Sequence, residues 1–223
     1  MNNENTYIDP QMREILKPVW AAGADEPDWA SMQEEDIIAL RAPADSAAMP
    51  RPAIVPDLPR VEDIQAEGAF GKTRVRLYDP INDGKPLPAL IYLHGGGWVG
   101  GSIENRDNGA RLLAAGSRFA VLSVDYALAP EHRFPEPLDD VVAVCRWLRE
   151  HAADHGIDPE RLAIGGDSSG ANLALAASLD LRDADEHFLR GMVLFYGVFA
   201  HDHQTDSHRL FGRDGRYTLS SAA

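Results

Sequence analysis

From Val61 onward the chain alternates short apolar runs with longer amphipathic segments, and this alternation restricts its fold more than any other feature. The runs "RVRLYD" (74–79), "ALIYLH" (89–94), "FAVLSVDY" (119–126), "LAIGGD" (162–167) and "GMVLFYG" (191–197) read as strands, with "VEDIQAEG" (61–68) a weaker one. Between them, "RDNGARLLAAG" (106–116), "EPLDDVVAVCRWLREHAADHG" (136–156) and "SGANLALAASLDLRD" (169–183) read as helices. Continuously apolar strands imply a sheet covered on both faces. Strand-helix-strand repetition implies right-handed crossovers and a mostly parallel sheet, so the fold class is α/β. Ligands on such sheets bind beyond the carboxyl ends of the strands.

Residues 1–60 follow a different pattern. Asp9 is placed as an N-cap with Pro10 at the first helical position. Met12, Ile15, Leu16, Val19 and Trp20 then recur at helical spacing. Pro18 lies inside that run, where it is expected to kink or end the helix. Ser31 and Glu34 have capping-box spacing ahead of "DIIALR". The five prolines between Ala42 and Arg60 read as an extended connector. The expected organisation is therefore helices and a Pro-rich connector over 1–60, and an α/β core over 61–223.

The formal charge of −14 argues against a nucleic-acid or anionic-membrane partner. No apolar run reaches membrane-spanning length. The N-terminus has no basic start and no apolar signal core, so a cytoplasmic location is expected. The single cysteine, Cys145, falls on the apolar stripe of a helix and is expected to pack in the core.

Two glycine-rich loops follow predicted strands. Gly166-Asp167-Ser168-Ser169-Gly170 fits G-x-S-x-G at a strand-to-helix turn. In that frame Ser168 is the nucleophile, and the N–H of Ser169 becomes a donor to an oxyanion at the positive end of the helix. His94-Gly95-Gly96-Gly97-Trp98 is the other loop, and consecutive glycines let backbone N–H groups face a ligand. Gly95 to Gly100 also satisfies G-x-G-x-x-G, with Asp125 near the end of the next strand. Against dinucleotide binding stand the bulky Trp98 within the turn and a stretch, "GSIENRDN", expected to delay helix onset. His94 is expected to tie its loop together rather than act as a base.

The order HGGGW, then "DYALAPE" (125–131), then GDSSG resembles the hormone-sensitive-lipase-like family of α/β-hydrolases, and "IDPQMREIL" resembles the start of its bacterial members. The resemblance implies an α/β-hydrolase fold with an N-terminal helical cap. It implies a serine esterase or lipase-like hydrolase acting on small acyl esters, with no cofactor and no metal. Carried over by position, it makes Ser168 the nucleophile and Gly95, Gly96 and the amide of Ser169 the oxyanion hole. Trp98 then lies beside the acyl site, while Asp125 and Glu131 are structural. A small-molecule ester is the expected partner, and the resemblance leaves room for a homo-oligomer.

In this fold the acid and the histidine of the triad follow the serine on loops after two further strands. The chain ends one short segment after "GMVLFYGVF", so the sheet is expected to stop short and leave an open edge. His187 precedes the strand at 191–197 and belongs to the wrong end of the sheet. His201, His203 and His208, with Asp202 and Asp206, follow that strand but have no rigid element to fix them. The competing expectation is an inactive truncated or ligand-binding relative.

Overall fold

The computed structural model describes residues 8–22, 32–46, 51–200 and 204–211. They fall into two compact units, Met1–Gln33 with Ala200–Ala223, and Glu34–Phe199. In the smaller unit, helix α1 runs Pro10–Ala22. Asp9 caps it, its Oδ1 accepting from the N–H of Gln11 at 2.8 Å. The helix does not end at Pro18 but runs on to Ala22: proline removes one intrahelical hydrogen bond, and the turns on either side remain.

The larger unit opens with α2 (Glu34–Ser46), whose first turn carries Glu34, Glu35 and Asp36 at the positive helix end. Ser31 lies outside the described residues. The helix passes Pro43, so the expected connector is helical as far as Ser46. Then follow β1 (Arg60–Gly68), β2 (Gly71–Asp79), β3 (Leu87–Leu93), α3 (Ile103–Ser117), β4 (Ala120–Val124), α4 (Glu136–His151), β5 (Ile157–Asp167), α5 (Ser169–Asp183) and β6 (Leu189–Phe195). The short helix α6 (Asp206–Phe211) belongs to the smaller unit.

The strands form one sheet in the order β1-β2-β4-β3-β5-β6. The four strands from β4 to β6 are parallel neighbours, and β1 and β2 add antiparallel at one side. The period-2 alternation of a strand divides the core into two layers. Along β3, Leu87, Ala89, Ile91 and Leu93 face a cluster that includes Val141, Val144, Cys145 and Leu148 of α4 and Leu173, Ala174 and Ala177 of α5. Leu90 and Tyr92 face the opposite cluster, with Ala110 and Ala114 of α3. Helix α3 starts earlier than expected because Ser102 caps it: the Ser102 hydroxyl and the Asn105 side chain bond reciprocally to each other's backbone N–H.

Strand β6 is an edge of this sheet among the described residues, and Met192, Val193 and Phe195 on it are exposed. No helix among the described residues is long and apolar enough to cross a membrane.

Two predictions follow from the packing. Asp140 of α4 is buried and accepts the N–H groups of Ala69 and Ala127 and the hydroxyl of Thr73, each at 3.0 Å. Asp140→Ala strands those donors, so urea denaturation should show a loss of about 3 kcal/mol. Burial pushes the Cys145 thiol up to about 12. Iodoacetamide should therefore leave the native chain unmodified at neutral pH and alkylate it in denaturant.

Candidate active site

Three connections converge beyond the carboxyl ends of the parallel strands: 94–101 after β3, 125–135 after β4, and the turn at Ser168 after β5. Ser168 has φ 53° and ψ −119°, outside the regions an L-residue favours. Its neighbours hold it there. The Ser168 N–H donates to the carbonyl of Phe195 at 3.0 Å, and its own carbonyl accepts from the N–H of Asn172 in the first turn of α5. A methyl group on Gly170 would lie 2.1 Å from the carbonyl oxygen of Leu93 and 2.6 Å from that of His94. Helix α5 can thus begin directly against the end of β3 only with glycine at 170.

The two serines differ in access. Ser168 is half-buried, while the Ser169 side chain is buried in the packing beneath. Ser169 is the first residue of α5, and the N–H groups of a first helical turn have no intrahelical acceptor.

The loop after β3 lies beside this turn. A methyl on Gly95 would come within 3.1 Å of the Ser168 Cβ. Gly96 has φ 148°, and its carbonyl accepts from Val99 and Gly100 as the loop doubles back. Gly96 and Gly97 are exposed, and neither donates its N–H to a protein acceptor among the described residues. Gly95 differs. Its N–H, expected to serve an oxyanion, donates to Asp167 Oδ1 at 3.0 Å.

Trp98 has φ 64°, is half-buried and packs against the larger core cluster, and its carbonyl accepts from Ala129 at 3.0 Å. The Tyr126 hydroxyl donates to the His94 carbonyl at 2.7 Å, and the two rings stack with centroids 4.5 Å apart. Asp125 pairs with Arg74 and Glu131 with Arg41. His94 is fully buried, with Nδ1 3.2 Å from the Gly95 carbonyl oxygen, and burial lowers its pKa, so the ring stays neutral.

Sequence reasoning missed four participants. Asp167 Oδ1 accepts from the Tyr92 hydroxyl at 2.7 Å as well as from Gly95, and Arg106 Nη2 lies 3.2 Å from Oδ2. Burial opposes ionisation of Asp167, but Tyr92, Arg106 and the Gly95 amide together outweigh it and hold the carboxyl below its ordinary range. Arg41 of α2 donates to the carbonyls of Val99 and Ala129 at 2.8 and 2.7 Å, joining the loops after β3 and β4. The position of Asp167 next to Ser168 was a visible signal; nothing local marks Arg41 or Arg106.

His187, at the amino end of β6, pairs with Asp185 at 3.0 Å. His208 of α6 meets the Thr205 hydroxyl through Nδ1 at 2.7 Å, and Asp206 pairs with Arg209. His201, Asp202 and His203 lie outside the described residues. No cluster of three or more metal-ligating side chains occurs among the described residues.

A family described as the alpha/beta hydrolase fold matches residues 90–222. The chain belongs to this family. The motif set places it with the hormone-sensitive-lipase-like members. The monoclinic form of an esterase from Pyrobaculum calidifontis superposes with a TM-score of 0.79 at 32% identity, over 96% of this chain and 67% of that one. The ester-hydrolase EH1AB1 from the metagenome of Lake Arreo, solved with a bipyridine phosphonate derivative, gives 0.83 at 34%, over 97% and 68%. The carboxylesterase EstE1, cloned from a metagenomic library, gives 0.70 at 36%, over 84% and 60%.

The contact at Gly170 is directly testable. The atoms a new methyl would meet there are backbone, which cannot rotate away. Gly170→Ala should cost about 2 kcal/mol or more in urea denaturation, while Ala171→Gly in the next position should cost about 1.

Proposed function

We propose that this chain carries the acylation centre of a carboxylic-ester hydrolase acting on small, short-chain acyl esters, with Ser168 as the nucleophile. One observation carries the reading: a strained, half-buried serine at the start of α5 faces a loop whose Gly96 and Gly97 amides are open. The similarity to solved esterases supports it.

In the proposed reaction Ser168 Oγ attacks the ester carbonyl carbon. As the new C–O bond forms, an electron pair moves onto the carbonyl oxygen. That oxygen accepts the N–H groups of Gly96 and Gly97 and of Ser169, whose orientation is set before the substrate arrives. The Ser168 proton passes to a general base and then to the alcohol oxygen as the ester bond breaks. Water repeats the sequence on the acyl-enzyme. No cofactor is required. A serine hydroxyl is a weak nucleophile at neutral pH without a base. Trp98, anchored by Ala129, is proposed to flank the acyl group.

An alkyl fluorophosphonate tests the assignment, since attack at phosphorus displaces fluoride and leaves a stable adduct. Peptide mapping should find one adduct, on Ser168. Ser168→Ala should abolish it, while Ser169→Ala should keep the rate within about tenfold because the proposed contribution of Ser169 is its backbone N–H. Undiminished labelling of the Ser168→Ala variant, or no labelling of the wild-type chain, overturns the reading.

A further inference from the structure

The proposed reaction leaves one charged group at the site without a task. Asp167 immediately precedes the nucleophile, and its carboxylate is nearly inaccessible, 5% exposed. Its partners come from three separate places. Tyr92 is near the end of β3, Gly95 lies in the loop that follows, and Arg106 projects from α3. Oδ1 takes both the Tyr92 hydroxyl and the Gly95 amide, so one oxygen atom links the end of β3, the glycine loop and the turn at Ser168.

Two physical consequences follow. Fixing the Gly95 N–H fixes the plane of the peptide leading into Gly95, and the next two amides of the loop are those proposed to meet the oxyanion. Misplacing such donors weakens the bonds on which charge stabilisation depends. The second consequence is electrostatic. A carboxylate beside a developing oxyanion repels it, and more strongly where water is excluded. Arg106 Nη2, 3.2 Å from Oδ2, supplies the opposite charge.

We propose that Asp167 is a positioning residue that clamps the Gly95–Gly97 loop to the nucleophile turn, and that Arg106 cancels its charge so that the clamp does not oppose the oxyanion. The proposal rests on Ser168 being the acylation centre, and its test separates the two claims. Hydrogen-exchange mass spectrometry of the peptide covering 94–101 reads the clamp. The rate of fluorophosphonate labelling of Ser168 reads its effect on the reaction. Both are measured on the full chain.

Asp167→Ala should speed exchange over 94–101 and slow labelling about ten- to hundredfold. Should that variant fail to fold, Asp167→Glu, which keeps the charge but displaces it by one methylene, carries the same comparison. Arg106 is 35% exposed, so Arg106→Gln should leave exchange unchanged and slow labelling about tenfold. Asp167→Asn added to Arg106→Gln keeps an acceptor for Gly95 and removes the uncancelled charge, so it should recover most of the lost rate. A purely structural pair would instead show the double variant slower than either single one. Unchanged exchange on removing or displacing the carboxylate overturns the clamp. Wild-type labelling rates in Arg106→Gln, or no recovery in the double variant, overturn the charge cancellation. If the wild-type chain takes no label, the Ser168 reading fails, and exchange over 94–101 still decides the clamp.

Discussion

The site depends on how closely the first turn of α5 abuts the end of β3. The Leu93 and His94 carbonyl oxygens occupy the space a side chain at position 170 would need, 2.1 and 2.6 Å from the would-be methyl. That approach leaves β5 almost no room to become α5, and Ser168 absorbs the reversal with a positive φ. Such a conformation costs about 1–3 kcal/mol and survives only where the surroundings over-determine it. Here they do: Phe195 on one side and Asn172 on the other hold the Ser168 backbone. The same approach places the glycine loop alongside Ser168 and aims the amino end of α5 at the space between them.

A buried carboxylate next to this turn would be costly alone, because an unpaired charge in a low-dielectric interior loses its hydration. Asp167 is satisfied by groups 75, 72 and 61 residues away in sequence, from Tyr92, Gly95 and Arg106. Arg41 does comparable work at the outer edge, bonding to loops 58 and 88 residues distant. The loops are thus ordered by charge-assisted hydrogen bonds between distant segments, while the sheet beneath is ordered by apolar burial.

Much of the architecture was legible beforehand. Six strands and the three crossover helices appear where apolar runs and helical periodicity indicated, since both signals report which face of an element is buried. The misread positions have specific causes. A proline need not end a helix: α1 continues past Pro18 and α2 past Pro43. The start of α3 was missed because its cap pairs Ser102 with an asparagine rather than the usual glutamate or glutamine. At the glycine loop, spacing shows which amides lie together but not that the Gly95 N–H meets Asp167.

The sequence by itself determined the α/β fold, the turn that carries Ser168, and the glycine loop opposite it. These are local requirements, and a glycine or an apolar period announces them wherever it stands. Tertiary structure alone decided that the Gly95 amide faces Asp167, that Arg106 neutralises that carboxylate, and that Arg41 ties two loops together. Each of these is a pairing between segments far apart along the chain, and a hydrogen bond of that kind leaves no pattern in the neighbourhood of either partner.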